Sequence, residues 1–335
     1  MKRWILPAGA TTADQLRCED APAPEPGPRQ VRIRVNALSI NARDRMILAG
    51  PFGRTPGRDL VPLSDVAGVI DALGNAVQGW SIGDRVMTAH VPGWPDGPAP
   101  TFGPGAGSFD DDGVAAEQIV VDATALVATP ASLSDAEAST LQVAGVTAWN
   151  SLFGWHPIQA GQRILVLGSG GVAVFAAQLA TAAGAHVTAA VRANTDDPRW
   201  ARIGVADVIT TAPGWGRRFF ESAQGADKVV DAVGPGMVPE SLAALRGSGE
   251  VTIPGLLDLT NPGLDFMEMI ARQASIRGVA VGSAGMHRDL AAFVQERGIH
   301  PVIERSVAFA DLPEAYRGHV TAGVFGKTVI VVDRR

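Results

Sequence analysis

At 335 residues, with 46% hydrophobic and 19% charged residues, the chain is long enough for two domains and too apolar for disorder to be the default. A net charge of −6 argues against nucleic acid or an anionic membrane as the main partner, since both require a basic face. The one cysteine, Cys18, excludes an internal disulfide and fits a reducing compartment, so a cytoplasmic protein is expected.

The opening MKRWILPAGA joins two cations to a short apolar run. Pro7 and Gly9 interrupt it, so a first β-strand is expected rather than a signal peptide. Up to about residue 125, the β-branched runs VRIRVNAL, SDVAGVIDAL, DRVMTA and AAEQIVVD are separated by Gly and Pro. That spacing predicts a compact all-β or barrel-like domain. Within it, residues 91–113 are rich in Pro, Gly and Asp and read as a long loop, either a functional lid or disordered. Asp110, Asp111 and Asp112 read as a solvated loop tip rather than a cation site. Trp94 and Phe102 either line an apolar substrate pocket or anchor the loop.

Residues 133–152, LSDAEASTLQVAGVTAWNSL, look helical, with Ser134 or Asp135 at the start. Strand-like runs then alternate with helical ones: RILVLG, HVTAAVR, ADVIT, ADKVVDAVG, GEVTIPG and SIRGVAVG. Such alternation predicts βαβ units on a parallel sheet, and six strands complete a doubly wound nucleotide fold. Residues 164–191 carry no charge, which raises a membrane span. Gly168, Gly170, Gly171, Gln178, Gly184 and His186 break the stretch into strand, turn, helix and strand, so it reads as buried α/β core. The tail returns to strands, PVIERSVAF and GKTVIVV, around a short helix near DLPEAYRGHV.

The turn VLGSGGVA, residues 166–173, follows an apolar strand and opens an apolar helix, the context of a dinucleotide fingerprint. Gly168 permits the tight turn, Gly170 lets the backbone approach a pyrophosphate, and Ala173 takes the third small position. Ser169, Gly171 and Val172 complete a helix N-terminus that offers N–H groups and a positive dipole end to phosphate. An NAD site places an acid at the end of the next strand to bind the ribose hydroxyls; this chain has Arg192 there. A guanidinium can fork onto a 2′-phosphate, with Arg199 and Arg202 nearby and Asp196 and Asp197 opposing. The expected cofactor is NADPH rather than NADH.

Taken in order, ALSINARD, PLSDVAGVI, IGDRVM, AEQIVV, LQVAGVTAWNSL, GQRILVLGSGGV, KVVDAVG, ADLPEAY and FGKTVIVV cover essentially the whole chain. With them the chain resembles a zinc-independent medium-chain dehydrogenase/reductase, of the branch that holds quinone oxidoreductases and enone reductases. A subgroup often labelled NAD(P)-dependent alcohol dehydrogenase shares the PLSD wording and a Trp-containing insert like WPDG. The resemblance implies an α/β protein: a GroES-like β-rich catalytic domain from 1–125 and 285–335, and a Rossmann domain, 126–284, with a doubly wound parallel sheet. It also implies a homodimer.

Zinc-bearing members hold the metal with residues that fall here on Asn41, Ser64 and Val143. None supplies the thiolate, imidazole or carboxylate such sites take, so no catalytic metal is expected. Oxidising a plain alcohol benefits from a Lewis acid. Hydrogen-bond donors contribute about 3–4 kcal/mol each at an oxyanion. A conjugated acceptor asks for less, because charge spreads to an enolate or hydroquinone oxygen. The expected reaction is therefore NADPH-dependent hydride transfer to a quinone, an enone or another activated alkene, a small-molecule electrophile.

By the resemblance, Asn41 lies near the nicotinamide, donating to a substrate oxygen or the cofactor carboxamide; its bland reading is a loop cap. Ser64 is the second catalytic candidate, against a local serine–backbone bond. Asp44 and Asp65 are expected to be structural partners of nearby arginines. Thr147, Val233, Gly234, Gly255 and Val281 are expected along the cofactor, and Lys327 either reaches the nicotinamide side or lies on the surface. Met46 stands where quinone reductases of this branch often carry a tyrosine, so water is the expected proton source. Two alternatives remain: a metal-free NAD(P)-dependent alcohol or ketone oxidoreductase, and an NADPH-binding protein without turnover, as in lens crystallins of this family.

Overall fold

The computed structural model describes residues 1–49, 57–100, 105–108, 111–318 and 324–333. The chain forms two units: Met1–Val146 with Gly282–Ala322 and Lys327–Arg335, and Thr147–Val281 with Gly323–Gly326.

In the first unit, β1 (Lys2–Ile5) and β2 (Arg17–Asp20) form an antiparallel ribbon, so the opening run is a strand. The alternation in VRIRV becomes β3 (Gln30–Ile40), which buries Val31, Ile33 and Val35 while the residues between them are half-exposed. It pairs antiparallel with β4 (Asp65–Leu73) and, over its first half, with β6 (Gln118–Asp122). The strand β5 (Arg85–Thr88) joins β4, and β7 (Leu126–Ala128) joins β5.

The second unit opens its sheet with β8 (Arg163–Leu167), the helix Gly171–Ala182 and β9 (His186–Val191), the three pieces of the charge-free stretch. The helix buries Ala173, Ala176, Ala177 and Ala180, small side chains that let it lie close on the sheet. The sheet continues with β10 (Asp207–Thr210), β11 (Ala226–Asp231), β12 (Leu245–Ile253) and β13 (Ser275–Gly278). All six strands are parallel, in the order β10-β9-β8-β11-β12-β13. The order reverses between β8 and β11, the switch point where such sheets bind ligands. Among the described residues, no helix is long and apolar enough to cross a membrane.

Returning to the first unit, β14 (Ile303–Ala308) and β15 (Lys327–Val331) complete its sheet, ordered β14-β15-β3-β4-β5-β7. The β15–β3 register sets Thr328 opposite Ile40. That register brings the C-terminal lysine to the end of β3.

The structure departs from the expected domain limits. Residues 126–146 belong to the first unit, and the return begins at Gly282. The reason is side-chain bonding to that unit's sheet. Buried Ser39 Oγ shares its one hydrogen between Ser139 O and Asp65 Oδ2, each at 3.0 Å, and the Gln142 amide brackets Val66, accepting from its N–H at 2.6 Å and donating to its carbonyl. The expected long helix is accordingly segmented. Ser134 and Glu137 form a capping box for Asp135–Ala138, a π-turn occupies Leu141–Gly145, and the helix Val146–Phe153 follows.

Candidate functional site

Each unit carries one constellation of the expected residues. In the first unit, β3 ends at Ile40 and a helix, Ala42–Ala49, begins, with Asn41 between them. The Asn41 N–H donates to Asp44 Oδ2 at 2.7 Å, the arrangement of a helix start. Lys327 opens β15 beside it, 1% exposed. Its Nζ donates to Ile40 O at 2.9 Å and to Asn41 Oδ1, and lies 3.5 Å from Asp65 Oδ2. Lys327 is thus neither a surface lysine nor one whose ammonium points to open space. Asn41 Nδ2 is buried without a partner.

Ser64 Oγ donates to Asp65 Oδ1 at 3.2 Å, so its hydroxyl is engaged locally. Asp65 also accepts from Ser39 Oγ at 3.0 Å. Its cationic partner is Lys327 rather than the arginine expected. Asp44 does face an arginine, Arg43, at 3.4 Å. Burial pushes the Asp44 carboxyl up to about 6; Arg43 pulls it down and Asp65 pushes it up. Burial likewise lowers the Lys327 ammonium, against the pull of Asp65 and Asp44.

Leu63, just before Ser64, adopts φ 69°, a left-handed conformation that a bulky residue reaches only under strain of about 1–3 kcal/mol. Its carbonyl accepts from Val114 N at 3.1 Å, and Gly113 N donates to Val61 O at 2.6 Å. The described end of the 91–113 loop therefore packs on the backbone before Ser64. Trp94 is buried, and its Nε1 donates to Gly97 O at 3.0 Å, which makes it a loop anchor. Asp112 is tied to Arg58 at 3.0 Å and to Val61 N. Phe102 and Asp110 lie outside the described residues.

In the second unit, Gly168 takes φ 93° as the tight turn requires, and Gly170 forms the N-cap of Gly171–Ala182. No side chain caps this helix, and Gly170 at its start bridges to Gly326 of the returning chain. A Cβ added at Gly170 would meet nothing within 4 Å. That open cradle at a helix start fits a dinucleotide phosphate. Ser169 instead ties the turn to the returning chain. Its Oγ donates to Val324 O at 2.9 Å, and its carbonyl accepts from Gly326 N at 3.0 Å. The same returning segment buries Phe325 edge-on to Trp200.

Arg192 is exposed at the end of β9. Arg199 is committed elsewhere, forked onto Asp197 at 2.6–3.0 Å and lying 4.5 Å over the Phe325 ring. Arg202 is exposed.

The remaining backbone positions sit at strand ends. Asp231 closes β11 and accepts from Val233 N at 3.1 Å, Gly234 N at 2.9 Å and Ser241 Oγ. Burial raises its carboxyl to about 6. Gly255 N donates to Asp231 O at 3.1 Å, and Val233 O accepts from Leu257 N and Asp258 N, so these two strand ends hold each other. Val281 is strained at φ 54°, its carbonyl gripped by Asn150 Nδ2 at 2.7 Å. Thr147 is buried and its carbonyl accepts from Ser151 Oγ. The sequence reading missed Asp231, Gln142 and Asn150; each acts on backbone far along the chain or at a turn, and only the Asp before a glycine-containing turn left a local trace.

Comparison with known proteins shows the family. Residues 27–131 match the family model for the alcohol dehydrogenase GroES-like domain, and 171–296 match the model named zinc-binding dehydrogenase. A zinc-type alcohol dehydrogenase-like protein of Schizosaccharomyces pombe is 33% identical over 99% of both chains. The chain belongs to the medium-chain dehydrogenase/reductase family. Among other family members, the acryloyl-coenzyme A reductase of Sulfurisphaera tokodaii is 27% identical, covering 98% of this chain and 99% of its own. The crystal structure of an NAD-dependent alcohol dehydrogenase superposes with TM-score 0.90 at 28% identity, covering 99% and 100% of the two chains. The protein is thus an oxidoreductase of this family, and a Bos taurus relative, 31% identical over 91% of this chain and 82% of its own, is named an NAD(P)H oxidoreductase.

The family model's name implies zinc, and the residues here do not fit it. Asn41 Oδ1 already faces the Lys327 ammonium, Ser64 faces Asp65, and Val143 is apolar. A metal ion at Asn41 Oδ1 would meet a like charge. Among the described residues, no three of His, Cys, Asp or Glu group as a metal site.

Proposed function

We propose that the protein catalyses zinc-independent, NADPH-dependent hydride transfer to a quinone, an enone or another activated alkene. One observation carries this reading: the unpartnered Asn41 Nδ2, backed by a buried ammonium at the position where the resemblance puts a zinc ligand. A neutral amide donor suits an oxygen whose charge is delocalised, as in an enolate. A family member named for acryloyl-coenzyme A, itself an activated alkene, supports the same substrate class.

When bound, NADPH would supply the hydride, and a proton from water would complete the product, a saturated carbonyl compound from an enone and a hydroquinone from a quinone. The residues of this chain bind and orient. Gly168 and Gly171 shape the turn, the Gly168 N–H being held by Ala190 O at 2.9 Å, and the backbone N–H groups of Gly170 and Val172 would receive the pyrophosphate. Ser169 fixes the turn, and Arg192 takes the 2′-phosphate. Asp231 shapes the turn that presents Val233 and Gly234, with Gly255 and Val281 at the neighbouring strand ends and Thr147 at a helix start. Asn41 donates to the reacting oxygen. The one thiol of the chain, Cys18, is exposed and suits a reducing compartment such as the cytoplasm. Leu256, Leu257, Leu259, Phe266, Met267 and Ile270 are exposed along one stretch and suit a homodimer, which light-scattering mass in solution tests.

The test follows NADPH oxidation with 2-cyclohexen-1-one, 1,4-naphthoquinone and acryloyl-coenzyme A, against saturated ketones and simple alcohols, with metal analysis of the purified protein. Turnover of the conjugated acceptors without stoichiometric zinc is expected; activity confined to alcohols with bound zinc overturns the reading. Arg192→Glu should move the kcat/KM ratio toward NADH by about 10-fold or more. An unchanged ratio removes Arg192 from the 2′-phosphate site.

A further inference from the structure

Resting on the reading of Asn41 as the donor to the reacting oxygen, we propose that Lys327 is a positioning residue that fixes which end of the Asn41 amide is offered. Lysine carries three donors and no acceptor. An asparagine side chain against a buried ammonium must therefore turn its oxygen toward it, and Asn41 does so. Its NH2 is forced to the opposite side, where it has no partner although the residue is 6% exposed. A buried donor without an acceptor is disfavoured, so an isolated asparagine would turn to share its NH2 with a neighbouring carbonyl. Ile40 O, the carbonyl that precedes Asn41, already accepts from Lys327 at 2.9 Å. The ammonium thus holds the amide oxygen on its own side and competes for that carbonyl. It also polarises the amide through Oδ1, strengthening the N–H as a donor.

The main chain is held as firmly. Asp44 takes the Asn41 N–H at 2.7 Å, and Asp65 lies 3.5 Å behind the ammonium and keeps its charge compensated. Asp65 is in turn oriented by the hydroxyls of Ser39 and Ser64. This gives Ser64 a place in the site without substrate contact: it steadies the carboxylate that steadies the lysine. The assembly lies within one unit and requires the register that sets Thr328 opposite Ile40.

The test combines turnover with a readout independent of it. Asn41→Asp keeps an oxygen facing Lys327 and replaces the NH2 by a second oxygen, on a carboxyl that the Lys327 ammonium compensates. The variant should keep or raise its melting temperature while kcat for 2-cyclohexen-1-one falls about 100-fold. Lys327→Met should lower kcat about 10-fold with the NADPH dissociation constant unchanged, and should cost nothing further in the Asn41→Asp background. Lys327→Gln, which retains a donor, should fall between and serves where Lys327→Met does not fold. In protein carrying 15N-labelled asparagine, the Asn41 side-chain NH2 pair should be well separated, and should collapse toward free-amide values on losing the ammonium.

Equal kcat losses from Lys327→Met in both backgrounds, or an NH2 pair unmoved in Lys327→Met and Lys327→Gln, would overturn the proposal. So would a lowered melting temperature in Asn41→Asp. If the wild type reduces no conjugated acceptor at all, the functional reading falls, while the NH2 signals and Asn41→Asp stability still decide whether Lys327 orients the amide.

Discussion

The glycine turn after β8 and the polar cluster around Asn41 solve the same problem with opposite materials. At the turn, the groups offered to a ligand are backbone N–H bonds at a helix start, and the side chains matter mainly by being small. At the cluster, the offered group is a side-chain amide whose direction depends on Lys327, which depends on Asp65, which two hydroxyls orient. A backbone site needs few residues and tolerates change away from its glycines. A side-chain site needs every member, because each buried polar group is satisfied by the next.

The largest expected effect tests whether buried side-chain networks matter for folding in the glycine-turn unit as well. Lys228 on β11 is 3% exposed, with its Nζ bonded to the carbonyls of Ser151, Leu152 and His156 and 2.8 Å from Glu250. Lys228→Met removes one of the two cations on buried Glu250, the other being Arg277 at 3.1 Å, and strips three buried carbonyls of their donor, so it should cost about 3–5 kcal/mol in denaturant unfolding. A loss below about 1 kcal/mol would show that such networks are not what holds that unit.

A second comparison uses one buried carboxyl from each region. Asp44 and Asp231 are both raised to about 6, chiefly by burial. Below the unfolded value near 3.8 both states hold the proton. As pH rises, the unfolded chain releases it first, so stability falls between about pH 4 and pH 6, by up to about 3 kcal/mol per group. Asp44→Asn and Asp231→Asn should each remove one share of that slope in urea titrations at a series of pH values. A slope unchanged in both would place the titration elsewhere. His287 adds the opposite sign: burial holds it at about 3, so its share of stability is present above pH 6.5 and is lost as pH falls.

The smallest expected effect on stability sharpens the contrast most. Gly170→Ala adds a methyl group into open space at an ordinary φ of −74°, so unfolding free energy should move by less than about 0.5 kcal/mol. The NADPH dissociation constant should nonetheless rise about 10-fold or more, because the methyl fills the approach to the pyrophosphate. Unchanged affinity would remove the cradle from the cofactor site.

Much was legible in the sequence because it is encoded at short range. The strand–glycine–helix run around 166–173, the alternation in VRIRV and the helix start at Ser134 or Asp135 each span fewer residues than one structural element, and all three appear where expected. The six parallel strands followed from apolar runs separated by helical ones. The boundary near 125 failed because the pattern change there marks a shift from strand to helix, whereas the unit to which 126–146 belongs is set by Ser39, Val66 and Gln142.

The sequence by itself determined that a glycine turn opens the helix after β8, that an arginine follows β9, and that Asn41, Ser64 and Val143 stand where the resemblance puts metal ligands. These are matters of residue type and local period. Only the tertiary structure decided that Lys327 faces Asn41 across 286 positions of chain, that Asp65 answers a lysine rather than an arginine, and that Ser64 turns inward. A pattern of apolar residues tells which face of a strand is buried; which polar groups meet on that face depends on the register between strands, and no local period records it.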